Sequence, residues 1–404
     1  MLKKMAMNIG GVSFVLSLMM LFAFLSSILL MRSLTKEGFG EFALMRTLVL
    51  FITPLAIWGQ DVATARFFSK TDARKFKWSK ALWIILTFGS CLAFIGVVAA
   101  FYIYQLTLVK GALLFLASCS YLATLFFSNL LRSRQKYLTA IIMLYGFRAC
   151  FFVVVLGLFL FKVDSAFLSY AFYYMIIIIL SMLNGWYAFR AVPQGDQPVP
   201  NEMHTTGLLF MGSQASVTIL GSLDSLFIPR LLDLSSLALY QAAVVPSQLF
   251  NILGRAGKYV WVPEFGRSKS IRVKRMSLVV GLVAILLLIF MLLLAKPILH
   301  ILLGGKYDQA APILRILAVA GTLRLFYNLA SSIVIGKMER QALYYHLAMT
   351  IIMVFVEIIV LITMLKNYGV IGAAVTVLLV TFLRAVGSYF IIWKFRTQLQ
   401  SSTP

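Results

Sequence analysis

The chain has 404 residues, 61% of them apolar and 12% charged, with a formal net charge of +23. A soluble domain holds about 45–50% apolar and about 25% charged residues, so this chain cannot supply the polar surface that a water-soluble body of its length needs. It reads as an all-α polytopic membrane protein, because hydrocarbon solvates apolar side chains while helices satisfy their own backbone.

In chain order, the first apolar run (9–31) follows Lys3 and Lys4. It exceeds the about 7–15 residues of a signal-peptide core and has no small-residue cleavage site, which predicts a retained first membrane helix. Further runs predict spans at 8–31, 42–64, 81–104, 111–131, 139–161, 165–189, 205–229, 237–258, 277–299, 309–335, 343–365 and 370–393. Each holds about 20 residues or more, enough for ~30 Å of hydrocarbon. Pro54, Pro246 and Pro312 are expected to kink the second, eighth and tenth of these twelve spans.

With the N-terminus inside, cytoplasmic segments hold 23 Lys and Arg residues against eight outside, as the positive-inside rule requires, and both termini are cytoplasmic. Basic runs such as Arg66 to Lys80 and Arg267 to Arg275 are then topology-setting loops against anionic headgroups, not a nucleic-acid surface. Cys91, Cys119 and Cys150 fall in apolar helices and read as free thiols. His204, His300 and His346 are scattered near span ends, form no metal set, and read as interfacial packing. No phosphate-binding Gly-rich loop is present, and no cofactor, metal or catalytic set is expected.

The sequence repeats. A shift of 198 carries Arg32 onto Arg230, Phe42 onto Tyr240 and Phe67 onto Phe265. Six spans per half give the halves the same orientation, the plan of a transporter whose lobes rock around a central cavity. The expected division is an N-lobe at 1–192, a Pro-rich cytoplasmic linker at 193–203 and a C-lobe at 204–404.

Three stretches carry a family resemblance: Met31-Arg-Ser-Leu-Thr-Lys-Glu-Gly-Phe-Gly-Glu-Phe-Ala-Leu44 with Gly59-Gln-Asp-Val-Ala-Thr-Ala-Arg-Phe67; Leu223-Asp-Ser-Leu-Phe-Ile through Leu239-Tyr240 to Pro263; and Leu302-Leu-Gly-Gly-Lys-Tyr-Asp-Gln-Ala-Ala-Pro-Ile-Leu-Arg-Ile-Leu317 with Tyr368-Gly-Val-Ile-Gly-Ala-Ala374. In this order the chain resembles the polysaccharide-transporter branch, which includes the O-antigen flippases of the Wzx type. That branch belongs to the multidrug/oligosaccharidyl-lipid/polysaccharide (MOP) exporter superfamily. The resemblance implies a MOP-like two-lobe fold and a flippase, not an enzyme, in a bacterial inner membrane. Its cargo would be an undecaprenyl-pyrophosphate-linked oligosaccharide of the O-antigen or capsule type. The implied partners are that substrate, membrane lipids, and a polymerase with other glycan-assembly proteins, with proton or sodium coupling. The alternatives are a small-molecule exporter of the multidrug branch or a peptidoglycan-precursor flippase. External loops of a few residues argue against a polymerase or ligase.

Charge inside the membrane is costly, about 2.5–3.5 kcal/mol per residue at a helix centre, so it marks candidate sites. Arg46, Arg148, Arg315, Arg324 and Arg384 are the candidate ligands of a cationic cavity, with Arg148, Arg324 and Arg384 preferred, since guanidinium groups bind phosphate oxygens bidentately. Arg315 and Arg324, nine residues apart, fall on opposite helix faces. Asp61, Asp224 and Glu357 are expected to carry a coupling proton or to pair with arginines: Glu357 with Arg324 or Arg384, Asp224 with Arg315 or Arg46. Arg32 and Arg230 read as interface anchors.

Overall fold

The computed structural model describes residues 2–70, 75–267 and 273–396. Among them the chain is helical throughout, apart from one isolated bridge between Phe76 and Gln197. It divides into two compact units, Met1–Ser222 and Leu223–Pro404.

The first unit holds α1 (Leu2–Ser33), α2 (Lys36–Ala56), α3 (Gln60–Lys70), α4 (Trp78–Tyr104), α5 (Leu108–Ser133), α6 (Tyr137–Tyr145), α7 (Phe147–Leu160), α8 (Ala166–Ala191) and α9 (Asn201–Leu220). The second holds α10 (Leu223–Leu231), α11 (Leu234–Arg267), α12 (Val273–Leu303), α13 (Ala311–Lys337) and α14 (Arg340–Lys394). Among the described residues ten helices are long and apolar enough to cross a membrane, and the bent pair α9–α10 raises this to eleven. The candidate crossing Gln341–Lys394 is far longer than one bilayer requires. It breaks at Gly369, whose φ of 56° and ψ of −141° are not helical. A Cβ on Gly372 would run into the Met364 carbonyl, a contact that only a chain doubling back can make.

Several expected spans are broken helices. The second divides at Trp58 and Gly59, both at positive φ, between α2 and α3. The fifth divides at Gly146, and the seventh at Gly221 and Ser222. Pro54 and Pro246 lie within α2 and α11. Pro312 does not kink the tenth span; it sits in the first positions of α13, where its missing N–H leaves no bond unmade.

The compact units divide at Ser222, and α9 packs on α2 and α3 within the first. The linker itself is tied down. Lys77 N–H donates to the Gln197 carbonyl (2.8 Å), and Gly195 and Gln197 donate to Phe76 and Lys75. The Trp78 indole N–H, fully buried against Phe126, Phe127 and Phe189, donates to the Val192 carbonyl at 3.2 Å. Trp78→Phe keeps the packing but orphans that carbonyl, and is expected to lower stability by about 1–3 kcal/mol, read as a drop in the detergent-solubilised unfolding midpoint.

The surface is that of a protein in hydrocarbon. On α12, Leu278, Leu282, Leu286, Leu293 and Phe290 are all exposed, at spacings that run along the helix, whereas Ala284, Met291 and Ala295 are buried. An exposed apolar surface on that scale is a docking or membrane surface, not one that water tolerates. The opposite face packs on α13 through Phe250, Met291, Ala318 and Leu325. Gly321 of α13 admits the Phe250 ring of α11; a Cβ there would lie 2.6 Å from it.

Candidate functional sites

Each unit gathers charged side chains among its own helices. In the first unit Arg148 stands near the start of α7, two residues after Gly146, which joins α6 to α7 with helical φ and ψ and donates to the Ile142 carbonyl. The Arg148 guanidinium stacks 4.7 Å from the Tyr145 ring centroid and 5.8 Å from that of Phe147. Arg46 of α2 lies over the Phe42 ring, one turn earlier, at 5.7 Å, and donates to Ser27 Oγ of α1 at 3.2 Å. Arg46 and Arg148 are close enough for their charges to act on each other, and both act on buried Tyr173 of α8. Tyr121 of α5 is within the same reach of Arg148. The wall behind them is aromatic: Phe42 stacks on Phe151 (5.6 Å, 7°), and Tyr173 meets Phe42, Phe147 and Phe151 edge-on.

Among the described residues neither arginine forms an ion pair with a carboxylate. Two like charges are held together on quadrupoles and one hydroxyl, which solvates a guanidinium weakly and leaves most of its fork unoccupied.

The second unit is mixed. Asp224 opens α10, where a carboxylate suits the helix N-terminus, and accepts from the Tyr240 hydroxyl and from Ser225 N–H (2.7 Å). Arg324 of α13 donates to Asn251 Oδ1 of α11 at 2.7 Å. Glu357 of α14 is buried within electrostatic reach of Asp224, Arg324 and Arg384 but forms no ion pair with any described residue. The alternative of a Glu357–Arg324 or Glu357–Arg384 salt bridge is therefore not what the structure contains. Asp224 pairs with tyrosine, not with Arg315 or Arg46. Arg384 donates through Nη2 to the Tyr327 hydroxyl (2.8 Å) with its carbon 4.2 Å from that ring, and its buried Nε has no acceptor.

Arg315 is exposed and joins neither group. Asp61 lies half-buried in the first turn of α3, beside Gln60. Gln60 is fully buried and grips α9: its Nε2 donates to the His204 carbonyl (2.9 Å) and its Oε1 lies 3.1 Å from His204 Nδ1. His204 also stacks on Trp58. Arg32 and Arg230 are exposed in the last turns of α1 and α10.

Sequence reading missed the tyrosines that organise both groups, and it missed Lys258 and His346. Lys258 counted among the cytoplasmic basic residues and His346 as interfacial packing, yet both act electrostatically on Arg384. The available signal was Arg324 and Tyr327 one helical turn apart on α13, which marks a polar face in an apolar span.

The family described as polysaccharide biosynthesis protein matches residues 6–269. The chain belongs to that family. Its fold resembles that of the lipid II flippase MurJ in an inward closed conformation (TM-score 0.70, 12% identity, 96% of this chain and 89% of that one). It also resembles an inward-facing multidrug resistance MATE transporter (TM-score 0.64, 14% identity, 95% and 96%). An uncharacterized membrane protein of Methanocaldococcus jannaschii is 21% identical over 93% of this chain and 79% of its own length.

Proposed function

We propose that this member of the polysaccharide biosynthesis family is a flippase that moves an undecaprenyl-pyrophosphate-linked oligosaccharide from the inner to the outer leaflet of a bacterial inner membrane by alternating access. Counting the two arms of α14 separately and α9–α10 as one bent span is compatible with twelve crossings; in this reading they form two repeats divided at 193–203, with both termini cytoplasmic. The observation that carries the reading is the Arg46–Arg148 pair. Two guanidinium groups kept in an apolar bundle without a carboxylate await an anion, and a diphosphate offers oxygens in the geometry their forks fit. Tyr121, Tyr145 and Tyr173 beside them suit sugar rings, with apolar faces and hydroxyl edges. Arg324 and Arg384 extend the cationic character into the second unit, and Asp61, Asp224 and Glu357 are the groups that can take a coupling proton or sodium ion.

A drug exporter for cations would be served by unpaired carboxylates, and the first unit's site has the opposite charge. A peptidoglycan-precursor flippase shares the diphosphate chemistry and differs only in cargo.

The test is deletion of the gene in its own host, with surface polysaccharide and lipid-linked oligosaccharides assayed together. Loss of surface glycan, with undecaprenyl-linked repeat units stranded on the cytoplasmic face, is the expected result. Unchanged glycan with raised drug sensitivity would replace this reading with the exporter; stranded lipid II would replace the cargo.

A further inference from the structure

We infer that Lys258, Tyr327, His346 and Arg384 form a second phosphoryl-binding subsite, at the end of the second unit where α11 finishes and α14 begins. The inference deepens the flippase reading and rests on it for the source of the phosphoryl group.

Four observations converge. The Tyr327 ring carries the Arg384 guanidinium at 4.2 Å and the His346 imidazole, stacked at 6.2 Å and 14°. Arg384 Nε and His346 Nε2 are buried and have no hydrogen-bond partner. Lys258 lies within electrostatic reach of Tyr327, Arg384 and His346. Among the described residues no carboxylate acts on Lys258 or on His346; of the four groups, Glu357 reaches Arg384 alone. An arginine N–H with no acceptor, a lysine and an imidazole nitrogen together form a set of donors lacking its anion, and the Tyr327 ring holds the arginine and the imidazole.

The chemistry selects a diphosphate dianion over a single carboxylate. A carboxylate offers two oxygens on one carbon; the doubly esterified diphosphate of the proposed cargo offers four non-bridging oxygens on two phosphorus atoms, enough for Arg384, Lys258 and His346 together. His346 is an acceptor or a donor at Nε2 depending on its proton, and only the donor form serves an oxyanion. Binding can therefore draw one proton from solvent onto the ring, so that a dianion and a proton arrive together. The charged and titratable groups facing that ring are Lys258, Tyr327 and Arg384. On the orientation set by the basic loops, the ends of α11, α13 and α14 and the start of α14 are cytoplasmic, and the four residues lie about six to ten residues in from those ends, on the inward side of the path that an inner-leaflet phosphate would follow. The subsite is then a station for capture before crossing, and the Arg46–Arg148 pair is another station in the first unit.

The experiment is calorimetric titration of the purified full-length protein with inorganic pyrophosphate, in two phosphate-free buffers of different ionisation enthalpy at pH 7.5. Net proton uptake on binding is expected. It vanishes in His346→Asn, which still binds more weakly, and affinity falls about tenfold in Lys258→Met. If His346→Asn fails to accumulate, Lys258→Met carries the test alone. Unchanged affinity and proton uptake in these variants, or proton uptake with glucuronate and none with pyrophosphate, overturns the phosphoryl assignment. The measurement uses isolated protein, so a flippase reading that failed in the host would leave its outcome readable.

Discussion

Arg148→Ala and Arg46→Ala are each expected to cut surface glycan at least tenfold while leaving the amount of protein in the membrane, and its unfolding midpoint, unchanged or higher. A charge-assisted hydrogen bond to an anion is worth about 1.5–3 kcal/mol, which corresponds to roughly ten- to a hundredfold in binding. The stability half of the result separates ligand from scaffold. A structural arginine in a buried ion pair leaves an uncompensated charge when its partner is removed, at about 3–5 kcal/mol. Arg46 and Arg148 have no such carboxylate among the described residues, and they act on each other as like charges. Removing one relieves repulsion and gives up only ring contacts and, for Arg46, the bond to Ser27. Lysine at either position keeps the charge but loses the planar fork, so partial activity is expected from Arg148→Lys. Quantified surface polysaccharide, set against immunoblots of the membrane fraction, decides the matter. Full export by both alanine variants would remove the cationic pair from the mechanism.

Gly59→Ala is expected to lower stability by about 2–5 kcal/mol. Two costs add. At φ 75° the backbone is left-handed, where an L side chain costs about 1–2 kcal/mol. The new Cβ would also meet the Gly207 carbonyl and lie 2.8 Å from Met211 N on α9. Neither atom can rotate away, because both belong to helical backbone. Overpacking of this kind costs about 1–3 kcal/mol. The displaced α9 would loosen the Gln60–His204 contacts with it. Gly157→Ala in α7 is the control: nothing lies within 4 Å of its Cβ and its backbone is helical, so the same change there is neutral or stabilising. Thermal unfolding of the two variants in detergent, compared with the parent, measures the difference; equal midpoints would mean that α3 and α9 are not packed backbone to backbone.

Much of this architecture was legible beforehand because hydrocarbon imposes a local rule. About 20 apolar residues must run together wherever the chain crosses, and no distant residue can waive the requirement. Runs such as 81–104, 111–131 and 277–299 therefore fall inside α4, α5 and α12. Family membership was legible for a similar reason, since the turn after α1 and the Gly59-Gln-Asp stretch are contiguous in sequence.

The breaks were not legible. Hydropathy averages over a whole span, so a single residue at Gly59 or Gly146 that ends one helix and starts another leaves it unchanged. Pro312 shows the converse: a proline that reads as a kink within an apolar run becomes an ordinary helix start once the helix begins beside it.

The sequence by itself determined that the chain is helical, lies in a membrane and keeps arginines inside it, because each of these follows from composition over a window. Only the tertiary structure decided which charges meet. It gave Arg324 to Asn251 instead of Glu357, left Arg315 exposed, set Arg46 beside Arg148 across three helices' distance in the chain, and drew Lys258 and His346 to Arg384. Those pairings depend on the rotation of each helix about its axis and on which neighbour it packs against. Both are fixed by side-chain interlocking between segments remote in sequence, and no local pattern encodes them.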